Sequence, residues 1–104
     1  MEGDEFKLAT AALKRWGADE WLINKILAPN SFNAEEKFSR AALVNGISSD
    51  LEQVFSNPRN RQDFMTMNND NDYFKGRSPL NVISDGSLSS LEECAKRIKF
   101  LCML

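Results

Sequence analysis

The chain has no histidine. That removes the Ser-His-Asp and Cys-His arrangements by which many hydrolases activate a nucleophile, and the Cys/His ligand sets of structural zinc. Carboxylates do occur close together, as Glu35–Glu36, Asp70/Asp72 and Glu92–Glu93. Each falls at an expected helix start or in a polar loop, where capping and solvation account for it. There is no glycine-rich phosphate loop. We therefore expect no catalytic residue, no metal, no cofactor and no small-molecule substrate; the chain reads as a non-enzyme. Cysteine is scarce as well, with only Cys94 and Cys102. On one helix they would stand about 12 Å apart along the axis, beyond the reach of a disulfide. That predicts reduced thiols, with Cys94 in the core. No apolar run approaches the ~20 residues that span a bilayer. The acidic start, "MEGDEF", lacks the basic opening of a signal peptide. The expectation is a cytoplasmic protein without membrane contact.

What is present is helix. The chain has 104 residues, 42% apolar and 27% charged, enough for one domain with a modest core. Phe6, Ala9, Leu13 and Trp16 recur at the period of one helix face, and Gly17 suits the stop. Asp19 can cap a second helix bearing Leu22, Ile23, Ile26 and Leu27, ended by Pro29. Asn33-Ala34-Glu35-Glu36 has the form of a capping box. The long helix it opens should run to about Phe55 and bury Phe38, Ala41, Val44, Ile47, Leu51, Val54 and Phe55. Gly46 inside it predicts close helix packing or a kink. Asn57-Pro58 restarts the chain as cap and first helical residue, for a short helix burying Phe64 and Met67. After the polar loop "NNDND", Gly76 allows a turn, Ser78-Pro79 begins a very short helix with Leu80, Val82 and Ile83, and Asp85-Gly86 ends it. A last helix, capped by Ser89 with Glu92 three positions on, carries Leu91, Cys94, Ile98 and Leu101. Tyr73, Phe74, Leu80 and Ile83 should pack between it and the long helix. The predicted fold is all-α, a compact domain of five to six helices.

Charge is uneven. Residues 1–56 hold six Lys/Arg and nine Asp/Glu, a balance of −3; residues 57–104 hold seven and six, a balance of +1. A chain that met DNA through its N-terminal half would show a basic surplus there.

The order of these pieces resembles the toxin-binding domain of the Xre/MbcA/ParS antitoxin family. The likeness rests on Phe38-Ser39-Arg40; on Ile47, Leu51 and Phe55; on Phe64 and Met67-Asn68-Asn69; on Phe74-Lys75-Gly76-Arg77-Ser78-Pro79-Leu80; on Ile83 to Gly86; and on the final helix from Leu88. Phe74, Gly76, Ser78, Pro79, Leu80 and Gly86 are its structural motif. The N-terminal "LKRWGADEWLINKIL" is similar to the start of that family's helix-turn-helix region, but only "APNSFNA" then precedes the capping box. Seven residues cannot hold a recognition helix with its turns. The resemblance thus divides the chain into a degenerate, truncated helix-turn-helix-like region, 1–32, and a toxin-binding unit, 33–104. It implies an antitoxin that binds and occludes a RES-type, NAD-using toxin with its C-terminal helix and tail. The matching residues are Lys96, Arg97, Lys99, Phe100, Met103 and Leu104. The last three are apolar beyond the helix's own stripe, and such a chain end favours a pocket. The alternative is a DNA-binding helix-turn-helix regulator of transcription, an autorepressor with Lys14, Arg15, Lys25, Lys37 and Arg40 on phosphates. A homodimer is also expected, with Trp21, Phe32 and Phe38 as a candidate patch.

Overall fold

Each helix begins and ends where a side chain or a glycine can take over the backbone hydrogen bonds that helix termini leave open. In the computed structural model, which describes residues 2–27, 34–70 and 72–103, six helices follow: α1 (Glu2–Arg15), α2 (Glu20–Leu27), α3 (Ala34–Val54), α4 (Pro58–Thr66), α5 (Pro79–Ile83) and α6 (Leu88–Cys102). Gly17, at φ +101°, closes α1, and the Ala18 N–H donates to the Leu13 carbonyl at 3.0 Å. The Asp19 carboxylate accepts from the Leu22 N–H at 2.8 Å. Asn57 caps α4 with Pro58 behind it, and Ser78 caps α5 with Pro79 behind it. The Asn33 capping box, Pro29, Phe32 and Leu104 lie outside the described residues.

The last helix starts two residues earlier than its sequence suggests. Its cap is Ser87, not Ser89; the Ser87 hydroxyl accepts from the Ser90 N–H at 3.0 Å. Asp85 selects this cap, its carboxylate accepting from the Ser87 N–H at 2.8 Å and the Ser90 hydroxyl at 2.7 Å. Burial alone would push the Asp85 carboxyl up. The Ser87 and Ser90 hydrogen bonds outweigh it and hold the group below the usual carboxylate range.

One core joins all six elements. Ala9 and Leu13 of α1, with Trp16 just past its end, meet Ile26 and Leu27 of α2, Val44, Ile47 and Leu51 of α3, and Leu91, Cys94 and Ile98 of α6. Helix α3 is the axle, packed by α1 on one side and α6 on another, with α5 bridging α4 and α6. The Cα radius of gyration is 12.7 Å, against the ~13 Å of a well-packed chain this long. Among the described residues the one strand-like pairing is an isolated bridge, Asn69 to Arg77. It closes the loop that holds Phe74 fully buried. Arginines finish two of the loop ends: Arg61 donates to the carbonyls of Phe55 and Ser56, and Arg77 to those of Phe74 and Tyr73.

Three packing expectations fail. Phe38 and Val54 are exposed rather than part of the α3 stripe. In α4 the buried methionine is Met65, while Met67 is exposed, because the helix stops at Thr66 and Met67 is already extended. Gly46 is neither a close contact nor a break; α3 runs unbroken through it, and a Cβ there would meet nothing within 4 Å. Gly46→Ala should therefore raise stability by about 0.5–1 kcal/mol, read as a higher urea midpoint with unchanged slope.

Candidate protein-binding site

Helix α6 positions the residues of interest by its period. Leu91, Cys94 and Ile98 step by three and four residues and are sealed against the core. Leu101 and Cys102 are half-buried on the same side. That register turns Lys96, Arg97, Lys99, Phe100 and Met103 to solvent. Phe100 is 65% exposed and Met103 78%. The five line an open groove of about 410 Å³ along the last turn. The helix end is tidy despite its exposure: the Met103 N–H donates to the Lys99 carbonyl at 3.1 Å and the Phe100 carbonyl at 3.3 Å.

The charges on this face are held. The Lys99 ammonium lies 3.4 Å from the Asp50 carboxylate of α3. Arg97 pairs through Nε with Glu93 at 2.8 Å, one turn back on α6, and its guanidinium lies 5.3 Å from the Tyr73 ring centre. Both thiols are free. Burial pushes Cys94 up to about 12, so it stays a protonated, inert core residue; burial also raises Cys102.

The motif residues divide by role. Phe74 and Pro79 are buried, Ser78 caps α5, and Leu80 packs at the core's edge. Gly76 and Gly86 take φ +83° and +76°, a backbone region that disfavours side chains. At Gly86 a Cβ would also come within 2.8 Å of the Lys25 Cγ and 3.0 Å of the Lys25 carbonyl.

The five candidate phosphate contacts do not form one set. Arg40 is a correction: it is only 4% exposed. Its Nη1 donates to the Ile26 carbonyl at 2.9 Å and the Gly86 carbonyl at 2.7 Å, and its Nε to Glu36 at 3.1 Å. It fastens α2, α3 and the α5–α6 turn together and is closed to DNA. Lys25 lies over the Trp21 ring at 5.0 Å, against the Gly86 turn. Lys37 is partly buried at the start of α3, whereas Lys14 and Arg15 are exposed at the end of α1. Arg15 faces α4, lining a depression with Arg59, Gln62 and Asp63. Of the candidate dimer patch, Trp21 is 69% and Phe38 45% exposed.

The basic residues of the 73–77 turn, Lys75 and Arg77, are not among the candidates that the sequence offers for this face. The available signal was two cations flanking Gly76, directly after an aromatic pair. Among the described residues, no three His, Cys, Asp or Glu side chains gather as a metal site. No described helix is long and apolar enough to cross a membrane. Compared with protein-family models, with curated proteins and with solved structures, the chain matches none.

Proposed function

We propose that this protein is an antitoxin-like binding module that occludes the active-site cleft of a RES-type, NAD-using toxin with the end of α6. One observation carries the reading: Phe100 and Met103 stand 65% and 78% exposed on a helix whose Leu91, Cys94, Ile98 and Leu101 face its own core. Leaving such groups in water forgoes about 1.5–3 kcal/mol each relative to burial. The motif order from Phe38 to Gly86 supports the toxin class, and the basic residues Lys96, Arg97 and Lys99 supply a polar rim around the apolar pair. Occlusion asks for no chemistry from the module, which suits a chain without histidine.

The test is co-expression with a RES-type toxin, comparing the native chain with the double variant Phe100→Ser/Met103→Ser. Removal of two central apolar anchors costs on the order of 2 kcal/mol each at an interface, so neutralisation should fail. The melting temperature should hold, since exposed positions tolerate substitution within about 0.5 kcal/mol. Point substitutions serve better than truncation after Ile98, which would also strip Leu101 and Cys102 from the core. Full neutralisation by the double variant would rule out the tail mechanism.

A further inference from the structure

Arg97 belongs to two depressions at once. Below it lies the groove with Phe100 and Met103. Above it lies a second, of about 380 Å³, lined by Asp72, Tyr73, Lys75, Arg77 and Arg97. We infer that the partner surface runs continuously from the α6 terminus across Arg97 onto the 73–77 turn, and that it takes an acidic protein segment whose carboxylates adjoin apolar side chains. This rests on the α6 terminus being a docking site, and adds what the partner must carry.

The upper depression is organised around one ring. The guanidinium carbons of Arg77 and Arg97 stand 6.0 Å and 5.3 Å from the Tyr73 centre. Arg77 is tied to the Phe74 and Tyr73 carbonyls at 2.9 and 3.0 Å. Among the described residues, Arg97 uses only Nε, toward Glu93, so both terminal amino groups remain for an incoming carboxylate. Two like charges are thus fixed in orientation before anything binds, which lowers the ordering cost of binding. A planar fork matches a carboxylate in bidentate fashion. Lys75 enters from a left-handed backbone, φ +52°, next to Gly76.

The charge balance selects the partner's sign. Lys75, Arg77, Lys96, Arg97 and Lys99 gather here on a chain of net charge −2. The acids that face them are Asp70 beside Gly76, Asp72 lining the depression, Glu93 on Arg97 and Asp50 on Lys99, four against five cations. The patch therefore keeps a positive excess. The same net charge, with a pI near 5.1, argues against a nucleic-acid strand, whose binding depends on a larger basic surplus. The adjoining Phe100–Met103 groove instead suits apolar side chains. Exposed ion pairs contribute little each. The apolar pair then supplies the affinity, while the arginines set orientation and encounter rate.

Fluorescence anisotropy on the full chain tests this with three labelled probes. One is a synthetic peptide with an Asp/Glu block followed by a Leu/Phe block. The second is its isostere with Asn and Gln. The third is an oligodeoxythymidine. At low ionic strength the acidic peptide should bind about tenfold tighter than its isostere. The gap should close toward 1 M salt, where the screening length falls to about 3 Å. Lys75→Gln/Arg97→Gln, which leaves the Arg77 clamp in place, should abolish the gap with the melting temperature unchanged. Phe100→Ser/Met103→Ser should weaken both peptides alike. If only the cation pair matters, the α6 reading fails and the continuous surface with it; if only the apolar pair matters, the α6 reading stands and the inference fails. Equal affinity for both peptides, binding of neither, or tighter binding of the oligonucleotide overturns the inference.

Discussion

Arg40→Leu is expected to lower the melting temperature by roughly 10–25 °C, the equivalent of about 2–4 kcal/mol in a domain of this length. The residue is 4% exposed and its Nη1 serves two carbonyls, Ile26 at the end of α2 and Gly86 at the turn into α6. Leucine fills part of the volume and satisfies neither. A buried carbonyl stripped of its donor costs about 1–3 kcal/mol; the Ile26 carbonyl is buried and the Gly86 carbonyl part-buried, and both lose their donor. Charge alone is not the cause, and the variants separate the terms. Arg40→Lys keeps the charge but lacks the fork, so it should recover only part of the loss. Glu36→Gln removes a carboxylate that is 29% exposed, and should cost under about 1 kcal/mol. An Arg40→Leu protein as stable as the native chain would show that these carbonyls find other partners and that the clip is dispensable.

That residue also marks where reading the sequence stops working. Cap and stop residues act within three or four positions, so Gly17, Asp19, Asn57-Pro58, Ser78-Pro79 and Gly86 announce themselves. With helical spacing added, they make the six-helix, all-α fold legible. Arg40 looks like any solvated cation on a helix because its second carbonyl comes from a residue 46 positions away. Nothing local encodes that meeting. Helix α3 fails for a related reason. It is approached by α1, α2 and α6, so its apolar residues are not confined to one stripe, and spacing alone places Phe38 and Val54 inside when they are outside. Ser87 and Ser89 are chemically equal as caps; the Asp85 carboxylate decides between them through two hydrogen bonds. In the candidate site, Phe100 and Met103 follow from the period of α6 because Leu91, Cys94 and Ile98 fix its register. The cations of the 73–77 turn do not, since their closeness to Arg97 exists only after α6 folds back past the turn.

Phe74→Ala carries the other large effect. Phe74 is 0% exposed and heads the largest fully buried side chains, with its ring edge-on to Tyr73 at a centroid distance of 5.0 Å. Truncation removes the transfer energy of the ring and leaves a cavity, together about 3–5 kcal/mol. Phe74→Leu keeps most of the apolar volume and should cost less, on the order of 1–2 kcal/mol. The position matters beyond the core because the backbone carbonyl of Phe74 accepts from both the Arg77 N–H and the Arg77 Nε. The buried ring is the anchor that holds that carbonyl, and with it the guanidinium over Tyr73. Loosening the anchor should therefore act twice, once on the melting temperature and once on the partner surface. The leucine variant separates the two effects: at a temperature where it is fully folded, its affinity for the acidic peptide should fall while that for the neutral isostere stays. Equal affinities of the leucine variant and the native chain for the acidic peptide would mean that Arg77 is held by the turn itself, through Gly76 and the Asn69 bridge, and that the ring stabilises the fold without aligning the surface.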